Sequence, residues 1–284
     1  MNPCVQMETQ AELDVSGPML CTEALEVTYP SGTRALLPTS IAFAKGELTV
    51  LLGSSGAGKS TLLRSLNGLV RPSAGRILAG NLGDISAPGA LQRHRRQTGM
   101  VFQQHHLIGR LTVLANVLTG RLGYHGSLAT LLPWSREEKE LALAAIGRVG
   151  LLDHALQRAD QISGGQQQRV GVARALVQEP RILLADEPVA SLDPATAERL
   201  LMLLRDICKS DGLTVVVSLH QLAFARRFAD RIIGLAGGTV IFDGAPRQLS
   251  DEIAARLYGA PTPSRHTLPV ADPIPDFQPE RAFI

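Results

Sequence analysis

Apolar positions along the chain gather into runs of two kinds. Leu48 to Leu52, Ile182 to Ala185, Thr214 to Ser218 and Ile232 to Leu235 are short and almost unbroken, the pattern of strands buried on both faces of a parallel sheet. Gly237-Gly238 separates the last of these from Thr239 to Phe242, which predicts a terminal hairpin. Earlier, Thr22 to Thr28 and a stretch around Ser40 to Ala44 mix polar and apolar residues and predict an antiparallel edge sheet. The second kind of run has helical period. Leu200, Leu203, Leu204 and Ile207 share one face behind Asp193-Pro194, a cap followed by a proline suited to the first turn. Ser135 and Glu138 have capping-box spacing ahead of another helix.

Alternation of the two kinds predicts an α/β fold, a largely parallel core sheet covered by helices with an antiparallel β edge. From about 91 to 165 the helical pattern dominates, which predicts a helical lobe inserted in the sheet domain. Residues 1 to 18 lack a periodic pattern, and 260 to 284 is proline-rich, beginning Ala260-Pro261-Thr262-Pro263. Both read as disordered tails around one domain, 19 to 259.

The chain has 284 residues, 45% of them hydrophobic, enough for a substantial core. Its net charge of +2 is far from the basic footprint that backbone binding to DNA or RNA leaves, so no nucleic-acid partner is expected. Cys4, Cys21 and Cys208 are far apart and suggest neither a disulfide framework nor a zinc site. The amino terminus carries Glu8, Glu12 and Asp14 and does not read as a secretory signal. No apolar run reaches the ~18 residues of a membrane span, so a transport role would require other subunits to supply the pore.

Gly53-Ser54-Ser55-Gly56-Ala57-Gly58-Lys59-Ser60 fits the P-loop pattern between the apolar run Leu48 to Leu52 and the helical run Thr61 to Leu66, the context that motif requires. Its glycines let successive backbone N–H groups face phosphate oxygens, and the following helix adds its positive end. Gly53 to Ser60, with Thr61 behind them, form the candidate phosphate-binding set. Lys59 would reach the β- and γ-phosphates and the Ser60 hydroxyl would ligate magnesium. A nucleoside triphosphate with Mg2+ is the predicted ligand.

Magnesium in such a site needs a carboxylate. In Arg181-Ile182-Leu183-Leu184-Ala185-Asp186-Glu187, Asp186 emerges at the end of a buried strand, where ligands sit in open α/β sheets. Glu187 is placed to take a proton from attacking water. Adjacent acids after a strand most often make a solvated loop; behind a P-loop they point to a metal and a base.

Ile162-Ser163-Gly164-Gly165-Gln166-Gln167-Gln168-Arg169 starts a further helix with a second surface of the phosphate-binding kind, more than one γ-phosphate easily uses from a single chain. This stretch resembles the ABC ATPase signature, and the likeness runs from about Leu20 to Tyr258. The resemblance implies a P-loop NTPase of ABC type working as a homodimer, its subunits head to tail, with each ATP between the P-loop of one and the signature of the other. Ser163, Gly164, Gly165 and Gln166 are similar to the family's trans phosphate clamp. Tyr29 looks like the residue that stacks on adenine, and Gln103 like the glutamine that senses magnesium and water. Ser191-Leu192-Asp193 resembles the D-loop, and His220 the switch histidine. On this reading Lys59, Glu187 and His220 are catalytic, and Ser60, Gln103 and Asp186 hold the metal. Ile162 stands where the family usually has leucine.

The resemblance further implies phosphoryl transfer to water, with closure on ATP driving transmembrane permease subunits. The chain would then be peripheral on the cytoplasmic face of the inner membrane and reach a periplasmic or extracellular solute-binding protein only indirectly. Gly99 to Gly123, Ala185 to Pro194 and Ser218 to Gln221 are similar to the phosphonate-import branch; phosphate, phosphite or another small solute is the alternative cargo. A soluble ABC ATPase acting on nucleic acid usually carries long coiled-coil insertions, and no heptad run is present. Leu107 to Leu122 is expected to pack a core helix beside a groove for a permease helix. Arg93-His94-Arg95-Arg96 is expected to be a solvated face.

Overall fold

The computed structural model describes residues 17–104, 106–125 and 133–259. The expected tails lie almost wholly outside these residues. Two sheets form. One is antiparallel, built from β1 (Leu20–Thr28), β2 (Arg34–Phe43), β4 (Ala74–Ala79) and β5 (Gly83–Asp84) in the order β2-β1-β4-β5. The other contains β3 (Leu48–Leu52), β6 (Thr98–Val101), β7 (Ile182–Ala185), β8 (Thr214–Leu219), β9 (Arg231–Ala236) and β10 (Thr239–Gly244) in the order β10-β9-β3-β8-β7-β6. Its strands are parallel except the last, which closes the terminal hairpin with β9.

The unbroken apolar runs have a direct cause. Leu48, Val50 and Leu52 of β3 enter one core, whereas Leu51 enters the other. Leu183 and Ala185 of β7 likewise oppose Ile182 and Leu184, and Val215 and Val217 of β8 oppose Val216. Period-two alternation with both faces covered demands apolar residues at every position. One core lies toward the antiparallel sheet, α1 (Lys59–Leu66) and α2 (Ala90–Arg96), the other toward the remaining helices.

Those helices are α3 (Val113–Leu118), α4 (Arg136–Arg148), α5 (Gly164–Leu176), α6 (Pro194–Asp211), α7 (Leu222–Phe228) and α8 (Asp251–Gly259). Ser135 and Glu138 cap α4 reciprocally, and the Asp193 carboxylate accepts from Thr196 N at the start of α6. The helical segment expected at 91 to 165 is corrected at its start: β6 lies inside it, paired with β7 in the main sheet. Only Thr98-Gly99-Met100-Val101 forms that strand, too short to show a period, and its glycine fits closely, since an added Cβ would stand 3.1 Å from Ala175 and Leu183. Helices α3, α4 and α5 do pack on one another. Within 107 to 122, Val113, Val117 and Leu118 enter the core, but Ile108, Leu111 and Leu122 stay exposed. Strand β2 starts at Arg34 rather than near Ser40; Pro38 masks the alternation and is tolerated because β2 is an edge strand. No helix among the described residues is long and apolar enough to cross a membrane.

The basic run at 93 to 96 is likewise not a purely solvated face. His94 is 1% exposed, and its Nε2–H donates to Leu66 O at 2.7 Å. Arg95 donates to the carbonyls of Asn67 and Gly68, and Arg96 to that of Gly123. Burial pushes the His94 pKa down; the bond to Leu66 opposes this, and the neighbouring Arg95 charge adds to it. The unfolded chain therefore takes the proton more readily. The stability contributed by neutral His94 is complete above the ordinary histidine value of about 6.5 and is lost as pH falls through the lower folded value. Melting temperature followed by circular dichroism should drop between about pH 7.5 and about pH 5.5, and His94→Gln should show a smaller drop over the same interval.

Candidate functional site

The P-loop leaves β3 at its carboxyl end and turns directly into α1. Gly53 has φ +155, and a Cβ there would stand 2.2 Å from Leu235 O; only glycine permits the chain to pass this close to β9. Gly58, also at positive φ, caps α1. Lys59 is 3% exposed, and its Nζ donates to the carbonyls of Gly53 and Ser54, both at 2.9 Å. Burial lowers the Lys59 pKa against the opposing pull of Glu187 and Asp186. The loop thus curls around its own ammonium group.

At the ends of β7 and β8 the acids join this centre. Asp186 is 2% exposed. Its carboxylate accepts from Ser60 Oγ at 2.7 Å and Ser218 Oγ at 3.0 Å, and Arg64 Nη2 lies 3.4 Å away. Glu187 adopts φ +48, a left-handed conformation that costs a non-glycine residue about 1 kcal/mol or more. Its backbone N–H donates to Ser218 Oγ at 2.8 Å, so one hydroxyl ties both acids together. Glu187 Oε1 lies 2.5 Å from His220 Nε2. On the other side of the ring, Nδ1 is 3.4 Å from Lys59 Nζ. An ammonium only donates, so Nδ1 accepts and Nε2 carries the proton toward Glu187.

Lys59, Ser60, Asp186, Glu187 and His220 therefore form one continuous bonded cluster. Tyr29 Oη lies 3.1 Å from Oγ1 of Thr61, the residue after Ser60. Gln103 is exposed two residues past the end of β6, the strand paired with β7, which Asp186 follows. Sequence reasoning gave no individual role to Ser218, Arg64 or Tyr258, whose Oη donates to His220 O at 2.5 Å. The one sequence signal among them is the hydroxyl of Ser218 following the apolar run Val215-Val216-Val217 near the end of β8.

Ser163 to Gln166 do not join the cluster. With Ser191, Leu192 and Asp193 they line a separate cleft of about 670 Å³ whose walls include no P-loop residue. The signature and the P-loop thus face different spaces of the chain.

Against known proteins, residues 36–190 match the family described as ABC transporter. The chain belongs to the ABC transporter family. The cassette is 57% identical over 257 residues to the phosphite import ATP-binding protein PxtA of Stutzerimonas stutzeri, covering 90% of this chain and 93% of that one. Against the phosphonates import ATP-binding protein PhnC 2 of Cupriavidus metallidurans the values are 56%, 90% and 92%. Among solved structures it is similar to CbiO1 from Clostridium perfringens, part of the transporter complex CbiONQ, with TM-score 0.73 and 30% identity, covering 84% of this chain and 94% of that one. It also resembles the dimeric ATP-binding cassette MJ0796 bound to ADP and Pi in a post-hydrolysis state, with TM-score 0.71 and 36% identity, covering 81% and 99%. The expected α/β fold of an ABC ATPase thus holds, and with it nucleotide binding and ATP hydrolysis.

Proposed function

We propose that this cassette energises import of phosphonates as a head-to-tail homodimer bound to transmembrane permease subunits on the cytoplasmic face of the inner membrane. A solute-binding protein outside that membrane would hand cargo to the permease. The observation that carries the motor reading is the bonded cluster Lys59, His220, Glu187, Ser218, Asp186 and Ser60, with the signature opening onto a different cleft. Each ATP is then completed by Ser163, Gly164, Gly165 and Gln166 of the partner subunit, and Tyr29 supports the adenine.

The donor set fits magnesium. Among the described residues no cluster of His, Cys, Asp and Glu is dense enough to cage a metal, and Mg2+ prefers a few hard oxygens completed by phosphate and water. Ser60 and Asp186 are joined at 2.7 Å, and with Gln103 from the end of the neighbouring strand they would offer that set. Bound there, magnesium would neutralise charge that builds on the phosphate oxygens during transfer. Lys59 supplies positive charge from within the loop. Glu187, its carboxylate fixed by His220 and its backbone by Ser218, accepts the proton of the attacking water. His220 reports on the γ-phosphate through the same contacts.

A groove of about 760 Å³ beside the lobe, lined in part by Leu91, Arg95, Phe102, Tyr124 and Arg174, supports the permease reading, because a short amphipathic helix fits such a depression.

Phosphonate cargo is supported by the names of the relatives, and phosphite is a second reading because one relative above 55% identity is a phosphite importer. A strain lacking this subunit, with no redundant importer, should fail to grow on a phosphonate as sole phosphorus source and grow normally on phosphate. Rescue by the wild-type chain and not by Glu187→Gln ties uptake to hydrolysis. Failure confined to phosphite would replace the cargo; unimpaired growth on both would discard both.

A further inference from the structure

We propose that His154 is a positioning residue for the signature, holding Gln166 so that Ser163 faces the partner's nucleotide; this rests on the trans assignment of Ser163 to Gln166 made above. Ser163 N–H donates to Gln166 Oε1 at 2.8 Å. A backbone N–H is a donor only, so the orientation of the Gln166 amide is fixed and its Nε2 is the atom 3.0 Å from His154 Nε2. An amide nitrogen donates as well. His154 Nε2 must then present a lone pair, and the ring proton resides on Nδ1, 2.9 Å from Gln157 Oε1. One neutral tautomer satisfies every bond in the series Gln157, His154, Gln166, Ser163.

The far end of this series is a capping box. Gln166 N–H donates to Ser163 Oγ at 3.3 Å while the Gln166 side chain receives Ser163 N–H. Because that hydroxyl accepts from inside the helix, its proton is free to be donated outward, toward a phosphate oxygen. The near end is rigid. The 3₁₀ turn Leu152–His154 continues into residues bonded to the segment before and within α3: Leu114 N to Ala155 O, Val113 N to Gln157 O, Ala159 N to Leu111 O and Asp160 N to Gly109 O. The neighbouring signature residues are tied to the same stretch, Gln167 to the carbonyls of Ala159 and Ile162 and Arg169 to that of Val149. Of the hydrogen bonds of the Gln166 side chain among the described residues, the one to His154 alone reaches outside the signature, so position 154 sets where that amide stops.

The test uses ATPase kinetics of the full chain together with ATP-driven dimerisation, measured by light scattering in a Glu187→Gln background. His154→Leu removes the acceptor and should raise both KM for ATP and the ATP concentration for half-dimerisation about fivefold, the size of one hydrogen bond, with kcat changed less. His154→Gln offers a carbonyl oxygen in the same place and should return both to within about twofold. His154→Ala serves if the leucine variant does not fold. Wild-type values in both acceptor-less variants overturn the proposal, as does equal impairment of His154→Gln. Ser163→Arg separates the two layers: if it keeps wild-type turnover, the trans assignment itself fails; if it loses turnover while His154→Leu and His154→Ala do not, only the role of His154 fails.

Discussion

Glu187→Gln should bind ATP with affinity within a few-fold of wild type and turn over about 10²- to 10³-fold more slowly. The substitution conserves shape. Its amide oxygen accepts from His220 Nε2 as Glu187 Oε1 does at 2.5 Å, and the backbone bond to Ser218 is untouched. What it removes is the capacity to take up a proton, the contribution of a general base to transfer of the γ-phosphoryl group to water. Binding by Lys59, Ser60 and the loop amides does not depend on that capacity. Separate measurements of steady-state hydrolysis and of ATP binding by calorimetry distinguish the two effects. The variant should also accumulate as an ATP-bound dimer, because the step that releases the interface is the one removed. Near-normal hydrolysis would transfer the base role away from Glu187, leaving its strained backbone without a catalytic explanation.

The loop, its lysine and the paired acids were legible in the sequence because each is a local device. Gly53 to Ser60 are contiguous, their strand precedes them and their helix follows, so pattern alone places them in space. The same locality made the caps at Ser135 and Asp193 readable. Features that depend on distant parts of the chain were not. Ser218 serves Asp186 and Glu187 from a strand some thirty residues on, Arg64 reaches Asp186 from α1, and Tyr258 in α8 supports the carbonyl of His220. Their side chains announce nothing about these partners until the sheet order β3-β8-β7 brings them together. Strand β6 was hidden because four residues with a glycine carry no period, and His94 because a histidine between arginines looks solvated until α2 packs on α1. The glycines and serine of the signature were legible as a helix start of the phosphate-binding kind, but their assignment to a second copy came only through resemblance, since within one chain their cleft is lined by no P-loop residue.

Lys59→Ala should weaken ATP binding by about 2 to 4 kcal/mol, some 30- to 1,000-fold, the range for removing one member of a desolvated charge pair. The ammonium is buried, within Coulombic reach of Glu187 and Asp186. Without it, incoming phosphates meet two carboxylates and no fixed cation in the loop. Lys59→Arg should rescue little, since a planar guanidinium fork does not reproduce the compact ammonium that donates to the carbonyls of Gly53 and Ser54. The stability of the empty protein should respond differently. Burial already disfavours the Lys59 charge, as its lowered pKa shows, so deleting the charge removes a desolvation cost along with the bonds to Gly53 and Ser54, and the two changes offset. Thermal unfolding with and without ATP makes the distinction. Wild type should gain melting temperature with ATP in proportion to RT ln(1 + [ATP]/Kd), whereas Lys59→Ala should melt near wild type without nucleotide and gain almost nothing from it. An undiminished ATP-dependent gain would show that the loop binds phosphate without its lysine and would remove the P-loop as the source of nucleotide affinity. A large loss of melting temperature without nucleotide would instead make Lys59 a structural element of the loop, with its effect on binding secondary.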